Sequence, residues 1–103
     1  MYAKKNLTHL KDLDAQAPAG MKAFWDFDRA AFEDGALSAK MKQIIAVAVA
    51  LTTQCPYCID LHGAAARKAG ASDAELAEAA LVAAAIRAGG AITHATHLWS
   101  ERT

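Results

Sequence analysis

Eight consecutive apolar residues, Ile44–Leu51, place the strongest constraint on the fold of this chain. Ser38 is a suitable N-cap for a helix that begins just before this run, and after Met41 and Lys42 that helix has no polar face. A helix that is apolar on all sides is buried by its neighbours. The run is much shorter than the roughly 20 residues that span a bilayer. The sequence therefore predicts a central helix that other helices cover.

Helix signals occur on both sides of the central helix. Pro18 is placed to start a helix that ends at Gly35, and Pro56 is placed to start another that Gly70 closes. No segment alternates apolar and polar residues over the length of a strand between turn residues. These observations predict an all-α fold of about five to six helices.

The C-terminal third of the chain contains a further start signal. Ser72–Glu75 reads SDAE, a capping box that opens a long helix extending to about Arg87. The glycine pair Gly89 and Gly90 is expected to weaken that helix, because glycine is unfavourable in a helix interior. A last helix is then expected from about Ala91 to Glu101.

Length and charge limit the possible classes of function. The chain has 103 residues, which fits one domain, 1–103. Eleven basic and eleven acidic residues give a formal net charge of zero without a basic block, which argues against a nucleic-acid partner. The first residues contain lysines but no apolar run after them, so no secretory signal is predicted. We expect a soluble cytoplasmic protein without a membrane partner.

Alanine is abundant in the C-terminal half, where it occupies most faces of the predicted helices. Such helices pack closely, but each buries little area. A short chain with a wholly apolar helix is therefore expected to bury surface against another copy, and symmetric homo-oligomers are the usual form of such assemblies. The alternative is a compact monomer with an alanine-rich exterior.

The strongest functional signal is the pair Cys55 and Cys58, which stands at a helix start marked by Pro56. Free backbone N–H groups and the helix dipole stabilise a thiolate at such a position and lower the cysteine pKa. His62 lies one turn after Cys58 on the same face, where it could accept the thiol proton or stabilise the thiolate. Tyr57, between the cysteines, could cover the pair or donate a hydrogen bond.

A further residue can be placed by geometry. If the helices before and after the cysteine pair are antiparallel, residues equidistant from the turn face one another. Gln43 is about as far before the turn as His62 is after it. We therefore expect Gln43 to hydrogen-bond His62 and to fix its orientation.

Three other interpretations of the cysteine pair remain open. Cys55, Cys58 and His62 could bind zinc with a fourth ligand from His94 or His97. The cysteines could be inert core residues, since free cysteine is often buried. The pair could also oxidise without turnover, as in a redox sensor or interaction module.

Over Phe32 to His94 the sequence resembles the AhpD-like alkylhydroperoxidase family, within the carboxymuconolactone decarboxylase superfamily. The specific features are Cys-x-x-Cys-x-x-x-His after an apolar helix and an alanine-rich helix that ends in AAIRAGGA. The resemblance implies an all-helical fold, commonly in trimers or hexamers. It also implies a hydroperoxide substrate, a dithiol/disulfide cycle and reduction by an external dithiol or thiol protein. Cys55 and Cys58 match the redox pair and His62 matches a relay histidine. No metal, flavin or haem is required.

Two positions depart from the family pattern. The relay glutamate lies twelve residues before the first cysteine, where this chain has Gln43, and glutamine does not accept a proton at neutral pH. The residue before the second cysteine is commonly histidine, where this chain has Tyr57. We therefore expect thiol redox chemistry more firmly than efficient peroxide turnover. Decarboxylation is not predicted, because that branch of the superfamily lacks the cysteine pair.

The expected reaction begins with attack on the peroxide by Cys58, which His62 faces, and Cys55 then resolves the sulfenic acid. The reverse order remains open, because the first cysteine of such motifs is often the attacking one. Trp25, Phe24 and Phe27 are expected in the core or a subunit contact, and some could shape an apolar pocket. No role is predicted for Arg87.

Overall fold

Five α-helices make up most of the chain in a computed structural model that describes residues 2–102, with side chains described to residue 100. The helices are α1 Leu10–Gln16, α2 Pro18–Phe32, α3 Ala39–Thr53, α4 Pro56–Lys68 and α5 Asp73–Ala95, and 3-10 segments cover Lys4–His9 and Thr96–Arg102. The described residues contain no strand, so the predicted all-α class is confirmed.

The predicted helix starts are confirmed at α3, α4 and α5. The Ser38 hydroxyl accepts a hydrogen bond from the backbone N–H of Met41 at 3.1 Å, as an N-cap does. Pro56 occupies the first turn of α4. The Ser72 side chain accepts from the Glu75 N–H, and the Glu75 carboxylate accepts from the Ser72 N–H, which completes the capping box.

The predicted break at the glycine pair is wrong. Helix α5 passes through Gly89 and Gly90 and ends at Ala95, and the expected separate last helix is a 3-10 segment, Thr96–Arg102. Two glycines cost roughly 2 kcal/mol of helix propensity. Because an existing helix gains one backbone hydrogen bond for each residue it adds, this cost does not stop a helix of 23 residues.

Helix α3 packs between α4 and α5, and this contact forms the small core. The buried apolar side chains on the three helices and the turn before α5 are Ile44, Val47, Ala50, Ala66, Ala71 and Ala83. The opposite side of α3 is open, since Ile45 is 42% exposed and Val49 is 53% exposed. The prediction that α3 is buried on all sides is therefore wrong for the face that carries Ile45 and Val49, which the single chain leaves exposed.

Helices α1 and α2 form an arm beside this core. The Trp25 indole N–H donates to the Asp14 carboxylate at 2.7 Å, and this bond joins the two helices. Neither helix has a buried residue. We call residues 2–16, which comprise the first 3-10 segment and α1, the N-terminal segment. Its beginning contacts α4 at Tyr57.

The stretch Asp73–Ser100, which comprises α5 and part of the following 3-10 segment, is long and apolar enough to cross a membrane. No uninterrupted apolar run in the sequence indicates this stretch, so the sequence analysis does not predict it. One such helix is weak evidence for a membrane span, because helices of soluble proteins meet the same criteria. Within the chain this helix is largely uncovered, with Ile86 71% exposed and Ile92 73% exposed.

Candidate functional site

The cysteine pair stands where α3 ends and α4 begins. Gln54 ends α3 in the left-handed conformation, with φ of 56°, and this turn places Cys55 at the N-cap of α4. The Cys55 sulfur accepts a hydrogen bond from the backbone N–H of Cys58 at 3.3 Å. The two Sγ atoms lie 2.6 Å apart, and both cysteines are free. The structure therefore places Cys55 and Cys58 close together at a helix start, as predicted.

This geometry separates the acidities of the two thiols. The pKa of Cys55 is lowered, first because the Cys58 thiol hydrogen-bonds to its sulfur and second because the Cys58 backbone N–H does so. The pKa of Cys58 is raised, first by the hydrogen bond with Cys55 and then by burial of its thiol. Loss of one proton from the pair therefore leaves the negative charge mainly on Cys55.

His62 lies one turn beyond Cys58 on α4, and its ring is held from two sides. Its Nδ1 is 2.8 Å from Oε1 of Gln43 on α3, which is the contact predicted from the antiparallel register. Because an amide oxygen only accepts, this bond places a proton on Nδ1, and in the neutral imidazole Nε2 is then the acceptor. The Phe32 ring of α2 stacks on the imidazole with centroids 5.0 Å apart and planes at 12°.

The phenol group of Tyr57 bonds the N-terminal segment rather than the cysteine pair, whereas its backbone N–H helps to lower the pKa of Cys55. Its phenol oxygen accepts hydrogen bonds from the backbone N–H of Ala3 at 3.3 Å and from the Asn6 amide at 3.1 Å. Its ring also meets the edge of the Tyr2 ring, with centroids 4.8 Å apart. Tyr57 therefore connects the redox motif to the N-terminal segment.

A cavity of about 640 Å³ opens beside Cys58. Cys58, His62, Gln43 and Tyr57 supply the reactive and polar part of its lining, and Cys55 is not part of that lining. The rest of the lining comprises Asn6, Leu7, Leu10, Phe24, Trp25, Asp28, Leu61 and Ala65. Of the two cysteines, only Cys58 therefore lines this largely apolar cavity.

Sequence reasoning missed the contribution of the N-terminal segment and of Phe32 to this site. Leu7 and Leu10 are three residues apart in the sequence, and a third leucine, Leu13, follows at the same interval. This spacing is the signal that could have indicated an apolar stripe. The stacking of Phe32 on His62 had no such signal, because it depends on where the C-terminal end of α2 lies relative to α4.

Arg87 and the remaining histidines lie outside the cavity lining. The Arg87 guanidinium donates to the backbone carbonyl of Thr52, and this bond joins α5 to the end of α3 just before the cysteine pair. His94 and His97 share a face, as predicted, with ring centroids 5.7 Å apart. His9 is exposed and contacts Asp12 at 2.9 Å.

The structure gives no support to the zinc interpretation. Among the residues described, no group of three or more His, Cys, Asp or Glu side chains is arranged to hold a metal ion. The inert-core interpretation also fits poorly, because Cys55 and Cys58 are both half-buried rather than enclosed.

Residues 18–101 match the model of the carboxymuconolactone decarboxylase family. The match includes α2 through α5 and therefore the cysteine pair, Gln43 and His62. The chain belongs to the carboxymuconolactone decarboxylase family, and a place in the AhpD-like superfamily is consistent with that membership.

Curated relatives share the central part of the chain. A Paracoccus denitrificans protein named "Uncharacterized protein 4 in cox locus" is 51% identical over 73 residues, which are 71% of this chain and 66% of that protein. A Haemophilus influenzae protein, named as uncharacterized, is 42% identical over 63 residues, which are 57% of this chain and 56% of its own length. The matched part thus spans between about half and two thirds of these relatives.

Solved structures share the fold. A carboxymuconolactone decarboxylase family protein of Legionella pneumophila, in its apo form, has a TM-score of 0.78 and 34% identity, covering 90% of this chain and 83% of that one. A protein of Methanobacterium thermoautotrophicum also has a TM-score of 0.78, with 36% identity, covering 82% of this chain and 96% of that one. The fold is that of this family.

Proposed function

We propose that this protein is a thiol-dependent peroxidase and disulfide oxidoreductase that reduces alkyl hydroperoxides through a dithiol/disulfide cycle of Cys55 and Cys58. One observation carries the proposal. Two free thiols of opposite pKa shift lie 2.6 Å apart at a helix start, and one of them lines an apolar cavity together with a tautomer-fixed histidine.

The first step takes place at Cys58, because Cys58 lines the cavity. The raised pKa keeps the Cys58 thiol protonated before the step, so Nε2 of His62 accepts the thiol proton as the sulfur attacks the terminal peroxide oxygen. The O–O bond breaks, the sulfur becomes a sulfenic acid, and the alkoxide takes the proton back to leave as an alcohol. The enzyme's sulfur is oxidised by two electrons and the peroxide is reduced by two.

The second step uses the low pKa of Cys55. Cys55 gives up its thiol proton and its sulfur attacks the Cys58 sulfenic sulfur, the hydroxyl group leaves with that proton as water, and a disulfide forms. An external dithiol or thiol protein then reduces the disulfide by exchange and is itself oxidised. The residues of this cycle need no metal, flavin or haem.

Peroxide consumption with dithiothreitol as reductant tests the cycle in wild type, Cys58→Ser and Cys55→Ser. We expect multiple turnover for wild type, no turnover for Cys58→Ser and slower turnover for Cys55→Ser, whose sulfenic acid only the external dithiol can reduce. When dithiothreitol is left out, Cys55→Ser should accumulate a sulfenic acid at Cys58 that a dimedone label detects by mass spectrometry, whereas Cys58→Ser should not label. Consumption at the wild-type rate by Cys58→Ser would refute the mechanism, and labelling at Cys55 in Cys58→Ser would reverse the order of attack.

A redox sensor of the same fold is the second candidate, and Gln43 is the observation that favours it. The amide at this position orients His62 but takes no proton from it. A sensor would form the disulfide once with peroxide and would not be reduced at a catalytic rate. The number of peroxide molecules consumed per protein in excess dithiothreitol separates the two candidates.

The proposed activity implies a hydroperoxide substrate, a cytoplasmic dithiol or thiol-protein reductant, and neither nucleic acid nor membrane as a partner. A homo-oligomer, trimer or hexamer, is the assembly that we propose for the chain. The exposed apolar residues of α5, among them Val82 and Ile86, support that assembly.

A further inference from the structure

We infer that the N-terminal segment is the specificity-determining wall of the Cys58 cavity and that it selects bulky, uncharged, apolar hydroperoxides over hydrogen peroxide. This inference rests on the proposed function, because it names the substrates of the same site. The matched family region begins at residue 18, so residues 2–16 add this wall from outside the matched part of the chain.

The N-terminal segment is attached to the redox motif itself. Tyr57, between the two cysteines, accepts hydrogen bonds from the Ala3 N–H at 3.3 Å and the Asn6 amide at 3.1 Å. The Tyr2 ring packs edge-on against the Tyr57 ring. Three contacts with one side chain hold the start of the segment beside Cys58, which follows Tyr57 directly.

This attachment brings two leucines to the cavity. Leu7 and Leu10 are half-buried and line it together with Phe24 and Trp25 of α2. Leu13 belongs to the same segment but lies outside the cavity lining and is 50% exposed. The segment therefore supplies apolar surface to the cavity through Leu7 and Leu10, and Leu13 is a matched control.

The cavity is much larger than hydrogen peroxide. A volume of about 640 Å³ is typical of pockets that enclose drug-sized ligands, which range over roughly 300–1,000 Å³. Hydrogen peroxide is closer to a water molecule, whose share of liquid volume is about 30 Å³. A small peroxide would gain no contact from the leucine wall, whereas a bulky apolar group would bury surface against it.

The charges of the lining favour an uncharged substrate. The lining residues include no Lys or Arg, and Asp28 is their one carboxylate. An anionic group placed in this cavity would lose hydration without gaining a cation and would lie near an acidic side chain. Fatty-acid hydroperoxides are therefore disfavoured where their carboxylate would enter the cavity.

The kinetic test compares wild type with the double variant Leu7→Ala/Leu10→Ala and with Leu13→Ala, using dithiothreitol as reductant. The measured quantity is the ratio of kcat/KM for cumene hydroperoxide to kcat/KM for hydrogen peroxide. Truncating two half-buried leucines should lower this ratio about tenfold, and Leu13→Ala should leave it unchanged. An unchanged ratio in the double variant, or an equal fall with Leu13→Ala, would overturn the inference.

A binding test separates this inference from the proposed function. Cys58→Ser protein that also carries Trp99→Phe reports ligand binding through the fluorescence of Trp25, which lines the cavity. Cumyl alcohol should bind this protein without any redox chemistry, and Leu7→Ala/Leu10→Ala should weaken its binding about tenfold. Equal binding with and without the two leucines would refute the inference that the N-terminal segment contributes to ligand binding, whatever the peroxidase assay shows.

Two additional measurements keep the test decisive. Asn6→Ala removes one contact to Tyr57 and retains both leucines, and it should weaken binding of cumyl alcohol by roughly two- to fivefold. This variant replaces the double variant if circular dichroism shows that the latter is unfolded. 4-Isopropylbenzoate, an anionic probe of similar size, should bind at least tenfold more weakly than cumyl alcohol; equal binding would contradict the charge selection.

Discussion

Cys55 and Cys58 carry the same thiol, but their positions at the start of α4 give them different acidities. Cys55 caps the helix, so its sulfur accepts from the backbone N–H of Cys58, and the two thiols share a hydrogen bond at 2.6 Å. These bonds favour the thiolate at Cys55 and the neutral thiol at Cys58. As pH rises, Cys55 therefore loses its proton first.

The hydrogen bond between the thiols can be tested through the pH dependence of alkylation. Cys58→Ser retains an O–H donor to the Cys55 sulfur, whereas Cys58→Ala removes the donor. Because the donor lowers the pKa of Cys55, the rate of alkylation by iodoacetamide should reach half its maximum at a lower pH in Cys58→Ser than in Cys58→Ala. Identical midpoints would show that the Cys58 side chain does not set the acidity of Cys55.

Gln43 is the residue at which this chain departs most from the expected proton relay. Gln43→Glu places a carboxylate on His62 Nδ1, which favours the imidazolium and strengthens His62 as a base toward Cys58. We expect faster thiolate formation and a higher kcat/KM for peroxide. Stopped-flow measurement of sulfenic acid or disulfide formation checks this, with Gln43→Met as a control that removes the hydrogen bond. No change in rate with Gln43→Glu would count against the relay.

At the scale of the elements, helix α5 shows how a local signal is overridden. The glycine pair indicates a break, yet the helix continues for five residues beyond Gly90. Neither Gly89 nor Gly90 has a left-handed backbone, and a Cβ at either position would meet no atom within 4 Å. Within a single chain, neither the backbone conformation nor the packing therefore requires glycine at these two positions.

Gly89→Ala should stabilise the protein, because alanine restricts the unfolded chain and favours the helix. The expected gain in the free energy of unfolding is about 0.5–1 kcal/mol. Gly70→Ala is the opposite control, because Gly70 has φ of 102°, where a side chain is strained, and it should destabilise the protein. Urea denaturation followed by circular dichroism measures both changes. The same sign for the two variants would contradict the backbone argument.

At the scale of the whole molecule, the single chain is extended and exposes much of its surface. Its radius of gyration is 17.6 Å, against about 13 Å for a compact chain of this length. Its accessible surface is 7700 Å², against about 5,600 Å² expected for a compact monomer of this size. The excess of roughly 2,000 Å² is greater than the roughly 800 Å² that each partner buries in a standard interface.

We therefore expect homo-oligomers in solution, with a mass three or six times that of the protomer by light scattering after size exclusion. Val82 and Ile86 lie one turn apart on the open face of α5, at 63% and 71% exposure. Val82→Glu/Ile86→Glu should lower the mass, and Glu78→Gln, on the same helix, should not. A wild-type monomer at micromolar concentration, or recovery of the protein only with membranes, would contradict this expectation.

The sequence by itself determined the starts of α3, α4 and α5 and the reactive motif, because caps, prolines and apolar periodicity act within a few residues. The cap at Ser38, the capping box at Ser72 and the position of Cys55 at a helix start could all be predicted for this reason. The contact between Gln43 and His62 could also be predicted, since a short turn between antiparallel helices fixes which residues face one another.

The tertiary structure decided what surrounds that motif. Phe32, the last residue of α2, stacks on His62 of α4, and the N-terminal segment reaches Tyr57 across more than 50 residues of sequence. Such contacts depend on the relative placement of distant helices, and no local pattern encodes that placement. The reactive thiols could therefore be predicted from the sequence. The cavity beside Cys58, and the N-terminal segment that lines it, depend on how the helices pack.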